Sequence, residues 1–194
     1  MSPRENVRLR TTEVHQSKGE LRMGLGTTAS TLTLGGTQTI GGSGAIVFGD
    51  NTSNSITTDA TDYIVTFGSN LTLRGKSGQF AWSGATVSYV FRGLVQPDVA
   101  GGMPTITGST VLYQGRIEPL NGAAITLTGN WSNTGTIKVT NSTTTLAGSF
   151  TQFGLGSASP VVGQGTSTRS GGTVNLTGIV TGDLTLNAAN FVRL

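Results

Sequence analysis

The chain has 194 residues, of which 35% are hydrophobic and only 11% are charged, and its formal net charge is +3. Disordered chains combine low hydrophobicity with high net charge, so this composition predicts a folded protein. There is no cysteine, which excludes disulfide bonds and thiolate metal sites. Glycine accounts for 30 residues, about twice its usual share.

Lysine and arginine are scattered along the chain, apart from the first 22 positions, which hold five of the twelve. Nucleic-acid-binding proteins gather their cations on one face or stripe, so the sequence predicts no nucleic-acid partner. No stretch reaches the ~18 consecutive apolar residues of a membrane-spanning helix, which predicts no membrane insertion. The N-terminus also has no apolar segment of the kind that secretory signals carry.

Residues 1–24 are richer in charge and poorer in glycine than the rest of the chain, and they contain the only histidine, His15. The alternation of Val7 and Leu9 fits a short strand, and a frayed or partly helical segment fits equally well. Terminal segments of repeat proteins either cap the core or stay disordered. We therefore predict an irregular charged N-terminal arm or cap over these residues.

Short runs in which apolar and polar residues alternate recur from residue 25 onward. Alternation with period 2 is typical of strands with one buried face, and the glycine, asparagine and serine residues between the runs are typical of turns. The clearest runs are centred on Leu32/Leu34, Ile46/Phe48, Leu71/Leu73, Val87/Tyr89/Phe91, Ile125/Leu127, Ile137/Val139, Val174/Leu176 and Leu184/Leu186. Loop insertions are predicted near residues 94–104, which contain two prolines, and near 153–172, which are rich in glycine and serine.

Regularly spaced strands over most of a chain are compatible with a β-sandwich, a membrane barrel or a β-solenoid. Membrane barrels need strands of ~9–11 residues and aromatic girdles, whereas these runs are shorter and only 6% of residues are aromatic. The Leu-Thr-Gly triplets at 127–129 and 176–178 stand 49 residues apart, which corresponds to two coils of roughly 20–25 residues. The sequence therefore predicts an all-β protein with a β-solenoid over residues 25–194.

Four stretches carry a resemblance to a known family: STLTLGGTQTIGGSGAIVFGD, SNLTLRGKSGQ, NTGTIKVTNSTTTLAGSFTQFGLG and RSGGTVNLTGIVTGDLTLNAA. They resemble the repeats of very large bacterial surface proteins of the filamentous-haemagglutinin and autotransporter-passenger class, over most of residues 24–190. The resemblance implies a right-handed parallel β-helix, an extracellular or cell-surface location, and an adhesive or structural role. The sequence departs from that family because it shows no signal peptide, secretion domain or translocator, so we expect a piece of a longer repeat array.

Residues of the types that perform catalysis are few and isolated. His15 has no nucleophile or paired carboxylate beside it in the sequence, which indicates a surface residue. Asp59 and Asp62, in TTDATDY, could be a catalytic pair or calcium ligands, but their spacing favours a polar turn before the next strand. We predict no catalytic, cofactor-binding or metal-binding residue in this chain.

Four aromatic residues are candidates for platforms on which sugars stack: Trp82, Tyr89, Trp131 and Phe150. Aromatic residues in alternating strands more often belong to the core, and Trp131, in the turn-like NWSN, is the best candidate for an exposed ring. The glycine-rich segments GGTQTIGGSG and GLGSASPVVGQG lack the Gly-Lys-Ser/Thr of a phosphate-binding loop, so we predict that they are turns.

Three Thr-x-Thr units resemble the flat hydroxyl arrays of ice-binding solenoids: Thr31/Thr33, Thr105/Thr107 and Thr126/Thr128. Such an array must recur in register on every coil. The sequence predicts that these units do not, and therefore that they form no such array.

The function predicted from the sequence is that of a non-enzymatic structural or adhesive module of a large bacterial cell-surface protein, without a cofactor. Its expected partners are surface glycans or neighbouring repeats of the same array. One alternative is a carbohydrate-active β-helix enzyme, in which clustered acids work beside Arg74 or Lys76. That alternative requires one cleft shared by Asp59, Asp62, Arg74, Arg92 and Asp98. Another is a repeat-array fragment without independent function, which predicts an exposed apolar edge near Leu184–Leu194.

Overall fold

The computed structural model describes residues 5–9, 13–24, 28–80, 86–151, 166–170, 173–177 and 179–180, and side chains are described within 19–24, 28–80, 86–149 and 173–177. Every regular element in these residues is a β-strand, and every strand pairing is parallel. The predicted all-β class is therefore confirmed.

In chain order the strands are β1 (Glu5–Leu9), β2 (Glu13–Met23), β3 (Ser30–Leu34), β4 (Gln38–Phe48), β5 (Ser55–Thr58), β6 (Ile64–Phe67), β7 (Leu71–Gly75), β8 (Gln79–Phe80), β9 (Ser88–Phe91) and β10 (Leu94–Pro97). They continue with β11 (Thr105–Tyr113), β12 (Arg116–Ile117), β13 (Ala124–Asn133), β14 (Thr136–Thr140), β15 (Thr143–Leu146), β16 (Ser149–Thr151), β17 (Thr166–Ser170), β18 (Thr173–Leu176) and β19 (Ile179–Val180).

Strands that follow each other in the chain do not pair with each other. Each one pairs instead with a strand about one coil further along, as β3 pairs with β1 before it and β5 after it. The pairings define three faces, and the long strands β2, β4, β11 and β13 turn a corner and contribute to two of them. This arrangement is a parallel β-solenoid, as predicted; the handedness of its coil stays a prediction.

Face 1 contains β1, β3, β5, β8, the first halves of β11 and β13, β15 and β18. Face 2 contains the first halves of β2 and β4, β6, β9, the second halves of β11 and β13, β16 and β19. Face 3 contains the second halves of β2 and β4, β7, β10, β12, β14 and β17.

The interior is a set of ladders in which one apolar residue per coil stacks on the next. On face 1 the buried ladder consists of Leu32, Ile56, Phe80, Ile106, Leu127 and Leu146. A single coil cannot bury these side chains alone, so stacking closes the core. Leu127 is in register with Leu146, and Leu146 is in register with Leu176. The predicted two-coil separation of Leu127 and Leu176 is therefore confirmed.

Glycine lies at the corner between faces 1 and 2, where neighbouring coils approach too closely for a side chain. Gly129 has a φ of +82°, and a Cβ placed on it would lie 2.4 Å from the carbonyl oxygen of Gly108. Gly148, one coil further, has a φ of +74°, and its Cβ would lie 2.1 Å from the oxygen of Gly129. Only glycine combines positive φ with such close backbone contact at no steric cost.

The irregular charged arm or cap predicted over residues 1–24 is not confirmed in the part of that segment that the structure describes. β1 and β2 add strands to the solenoid by pairing with β3 and β4. Val7 and Leu9 share a register with Leu32 and Leu34, which are buried. The charged residues of this segment are compatible with strands, because alternate positions of a strand can face outward.

Strands occupy part of each predicted loop insertion. Residues 94–97 form β10, which ends at Pro97, so only 98–104 lies between strands there. Bonding between coils continues around this proline, because Pro97 O accepts from Leu120 N–H at 2.8 Å and Asp98 N–H donates to Gly75 O at 3.4 Å. In the second insertion β17 is a strand paired with β14, while residues 153–165 and 171–172 lie outside the described residues. The predicted turn at GGSG is also a continuous part of β4, which bends at Gly42 and Gly44 through positive φ.

Candidate functional site

The outward side of face 1 carries two rows of polar side chains, which we call the threonine-rich face. The first row contains Thr31, Ser55, Gln79, Thr105, Thr126, Thr145 and Asn175. The second row lies two residues further along each strand and contains Thr33, Thr57, Thr107, Thr128, Ala147 and Thr177. Their neighbours in each strand point into the core, so these side chains face solvent.

The Thr-x-Thr units do not recur on every described coil, as predicted, but the three units lie in the same two rows. Thr105 and Thr107 are in direct register with Thr126 and Thr128, and the unit at 31–33 belongs to the same rows. The rows are interrupted by Gln79 and Ala147, and residue 81 lies outside the described part. The alignment is not evident from the sequence, because the number of residues per coil varies. Thr31 and Ser55 are 24 residues apart, whereas Thr145 and Asn175 are 30 apart.

Among its described side chains the threonine-rich face has no charge, and its hydroxyl groups lie close enough to interact with each other. Arg8 of β1 is in register with Thr33 at one end of the second row. The hydroxyl oxygens of Thr31 and Ser55 are 3.1 Å apart. The amide of Asn175 donates to the hydroxyl of Thr145 at 3.3 Å. The face therefore presents ordered, neutral donors and acceptors on a rigid sheet.

Face 3 is chemically different, because its outward residues form ion pairs across coils. The Arg74 guanidinium contacts Glu20 at 2.5 Å and Asp98 at 3.1 Å. Arg22 contacts the second oxygen of Glu20 at 2.5 Å. The hydrogen bond from Arg74, and after it the one from Arg22, lowers the pKa of Glu20 below its usual value. Glu20 also raises the pKa of Arg74. The lowered pKa favours the ionised form of the Glu20 carboxylate.

A second ion-pair group on face 3 is centred on Glu118, which is buried at an outward position. Its two carboxylate oxygens contact Lys138 at 2.7 Å and Arg116 at 2.9 Å. Arg116 lies on the same coil as Glu118 and Lys138 lies on the next coil, so the charges neutralise each other in part. The outward side of face 3 therefore carries oppositely charged side chains that pair with each other within and between coils.

The five residues on which the enzyme alternative depends are distributed over the molecule. Arg74 and Asp98 form an ion pair. Asp62 instead exchanges hydrogen bonds with Thr86, and Arg92 donates to the side chain of Gln114 at 3.0 Å. Asp59 and Asp62 lie in the turn before β6, as predicted, and Asp62 has a φ of +64°. Lys76 pairs with Asp50 at 3.5 Å.

Of the aromatic candidates, the two whose side chains are described lie in the core. Tyr89 is fully buried, as predicted, and burial raises its pKa to about 12. The expectation of an exposed ring at Trp131 is wrong, since that side chain is 4% exposed. Its ring nitrogen donates to the carbonyl oxygen of Ala147 at 2.9 Å. NWSN is part of β13 and continues into the sheet of face 2, so the ring points inward.

Several predicted positions lie outside the described structure. His15 lies in β2, but its side chain is not among those described, and the same holds for Phe150 in β16. Trp82, the segment GLGSASPVVGQG and residues 184–194 lie outside the described residues altogether.

The interior contains a small void lined by apolar atoms, among them those of Phe48, Leu73, Phe80 and Val95. Its volume is about 10 Å³, which is barely enough for one water, and a water also needs polar partners. The void is therefore a packing gap. Among the described residues there is no group of three or more His, Asp or Glu that could hold a metal ion. The part of the chain that is described also contains no helix able to span a bilayer.

Comparison with known proteins gives no relative: no family model, no curated protein and no solved structure matches this chain.

Proposed function

We propose that this chain is a non-enzymatic β-solenoid module that acts structurally and adhesively at a bacterial cell surface. We further propose that it contacts surface glycans through the threonine-rich face. The observation that supports this most is the register of the two polar rows, in which hydroxyl groups repeat from coil to coil and none of the described side chains is charged.

The chemistry of the face suits a polymer with many hydroxyl groups. Neighbouring strands lie ~4.8 Å apart, and alternate residues of one strand lie ~6.7 Å apart, so the rows form a regular grid. Each threonine hydroxyl is one donor and a double acceptor, which matches the hydroxyl groups of sugars. Single contacts of this kind are weak, but a rigid surface loses little entropy when it makes many of them at once.

The structural part of the proposal rests on the continuity of the ladders. Backbone hydrogen bonds connect each coil to the next on all three faces, for example from Thr126 N–H to Pro104 O at 3.1 Å and from Thr136 N–H to Gly115 O at 2.9 Å. Separating two coils breaks these bonds and exposes the ladder between them. Such a stack resists extension, as a stalk must.

The arrangement on face 3 gives no support to the enzyme alternative. Enzymes that hydrolyse glycosides need one carboxyl group with a raised pKa to act as the acid. Glu20 and Asp98 both contact Arg74, and the pKa of Glu20 is lowered. We therefore assign no hydrolytic role to this cluster.

The proposal is tested by binding of the full chain to a panel of immobilised polysaccharides and insoluble cell-wall polymers. We expect the wild-type chain to bind at least one of them, and T107K and T126K to reduce that binding at least ten-fold. T72K is the matched control, since Thr72 lies half-buried at an outward position of face 3 and gains the same charge. Urea unfolding of each variant confirms that the fold is intact.

Two results would contradict the proposal. One is a wild-type chain that binds none of the polymers. The other is an equal loss in T72K and T107K, because binding would then respond to charge and not to the threonine-rich face.

A further inference from the structure

Five Asn-X-Ser/Thr triplets without proline at X occur in the sequence, beginning at Asn51, Asn70, Asn130, Asn141 and Asn175. This triplet is the acceptor signature for N-linked glycosylation, which attaches a bulky, solubilising sugar. A chain rich in asparagine, serine and threonine contains such triplets by chance, so the sequence alone does not single out any of them. The structure does.

Four of the triplets are built into strands or corners with their central residue turned inward. The central residues Leu71, Trp131 and Ser142 are buried, and Leu176 packs against the core. A transferase must surround the whole triplet in its active-site groove. In the folded chain these four triplets cannot enter a groove unless a strand leaves the solenoid.

The triplet Asn51-Thr52-Ser53 is different, because it forms the turn between β4 and β5. Thr52 and Ser53 are exposed, and Asn51 is partly exposed. The Ser53 N–H donates to Oδ1 of Asn51 at 2.8 Å, which closes an Asx-turn. The N–H of Asn54 donates to the backbone oxygen of Asn51 at 3.1 Å. All three triplet residues therefore reach solvent without any strand being displaced.

Asn54, which directly follows the triplet, anchors this turn to the solenoid. Asn54 is fully buried, and its side chain accepts from Ser30 N–H at 3.0 Å and donates to Ser77 O at 3.2 Å. These bonds tie the base of the turn to the coils before and after it. The exposed triplet is therefore followed directly by a residue that is hydrogen-bonded to both neighbouring coils.

We propose that Asn51 is the acceptor for an N-linked glycan in the folded protein, and that the other four triplets accept sugar only in the unfolded chain. The donor is a nucleotide-activated sugar, and the enzyme is a sequon-specific N-glycosyltransferase. The Nδ2 atom of Asn51 forms a bond to the anomeric carbon, and the bond from that carbon to the donor phosphate breaks. The nucleotide diphosphate leaves with the electron pair, and one amide proton passes to a base of the transferase.

This inference does not depend on the proposed function. It concerns the turn at 51–53, whereas polysaccharide binding concerns the threonine-rich face, so either can fail without the other.

The test uses a soluble N-glycosyltransferase that modifies synthetic peptides spanning each of the five triplets, with a nucleotide-activated hexose. The folded full-length chain is treated with the same enzyme and donor, and modified sites are identified by intact mass and peptide mapping. We expect one hexose per chain, on Asn51, at a rate at least ten-fold above that at Asn70 or Asn141 after correction for the peptide rates.

Two variants control the assignment. S53A removes the hydroxyl that the transferase reads but keeps the backbone N–H that closes the turn, so we expect it to abolish modification of the folded chain. N70Q leaves the turn untouched, so we expect the wild-type mass gain. Absence of modification at Asn51 in the folded chain, or equal corrected rates at Asn51, Asn70 and Asn141, would overturn the proposal.

Discussion

The ring of Phe67 lies parallel to the ring of Phe91 on the next coil, with centroids 5.0 Å apart and an interplanar angle of 4°. Phe91 stacks in turn on Tyr113, at 5.3 Å and 14°. Tyr113 meets the edge of Trp131 at 6.0 Å. Four successive coils therefore share one aromatic column on the inner side of face 2, as successive coils share one apolar ladder on face 1.

Removing the middle of this column should be costly. Phe91 is 1% exposed and contacts aromatic rings on both neighbouring coils, so we expect F91A to lower the free energy of unfolding by about 3–5 kcal/mol. The control is I64A, because Ile64 is 50% exposed and should change stability by less than ~0.5 kcal/mol. Urea unfolding measures both. Comparable losses in the two variants would show that Phe91 is not a core residue.

The corner glycines provide a direct test of close coil contact. Gly129 and Gly122 both have positive φ, but only Gly129 has backbone within reach of an added Cβ. G122A should cost about 1–2 kcal/mol from strain alone, and G129A should cost clearly more because a Cβ would overlap the oxygen of Gly108. Equal losses of unfolding free energy would mean that the coils do not touch at this corner.

The hydroxyl group of Tyr113 is buried and has no hydrogen-bond partner. An unsatisfied buried group carries a desolvation cost of about 1–3 kcal/mol. Y113F keeps the stacked ring and removes that cost, so we expect the variant to be as stable as the wild type or more stable by about 1 kcal/mol. W131F provides the contrast, since it removes the hydrogen bond to Ala147 and should destabilise. A Y113F variant that loses more than ~1 kcal/mol would show that the hydroxyl is paired.

Stability should fall at alkaline pH. Burial raises the pKa of Tyr89 to about 12 and that of Tyr113 well above its usual value. An unfolded chain releases these protons near pH 10, so above that pH it binds fewer protons than the folded chain and unfolding becomes easier. Each buried tyrosine should steepen the fall of the free energy of unfolding by about 1.4 kcal/mol per pH unit between roughly pH 10 and 12. Y89F should reduce that slope by about one such increment, as measured by urea unfolding at several pH values; an unchanged slope would contradict the burial of Tyr89.

The features that were predictable from sequence are those imposed by the period of the strand. Val87, Tyr89 and Phe91 stand at alternate positions of one run, which predicts one shared face, and all three are buried. The separation of Leu127 and Leu176 by two coils was also predictable, because equivalent positions of a ladder carry the same residue types.

The features that were missed depend on where the chain bends. The sequence does not show that β13 passes through NWSN and keeps its alternation, so Trp131 was the best candidate for an exposed ring. Nor does it show how many residues each corner takes up. Thr126 and Thr145 are 19 residues apart and Thr145 and Asn175 are 30 apart, yet all three lie in one row. Stacking of the coils sets the register, and corners of different length accommodate the different numbers of residues per coil.

The most direct test of the account is the distance between two positions in the second row of the threonine-rich face. The chain has no cysteine, so T33C/T128C can be spin-labelled at these two sites alone and measured by pulsed electron paramagnetic resonance. Four coil steps separate these residues, which at ~4.8 Å per step predicts a backbone distance of about 19 Å. T57C/T128C should be shorter by one step. A single population near these values supports the stacked rows, whereas distances above about 30 Å, or no difference between the two pairs, would contradict them.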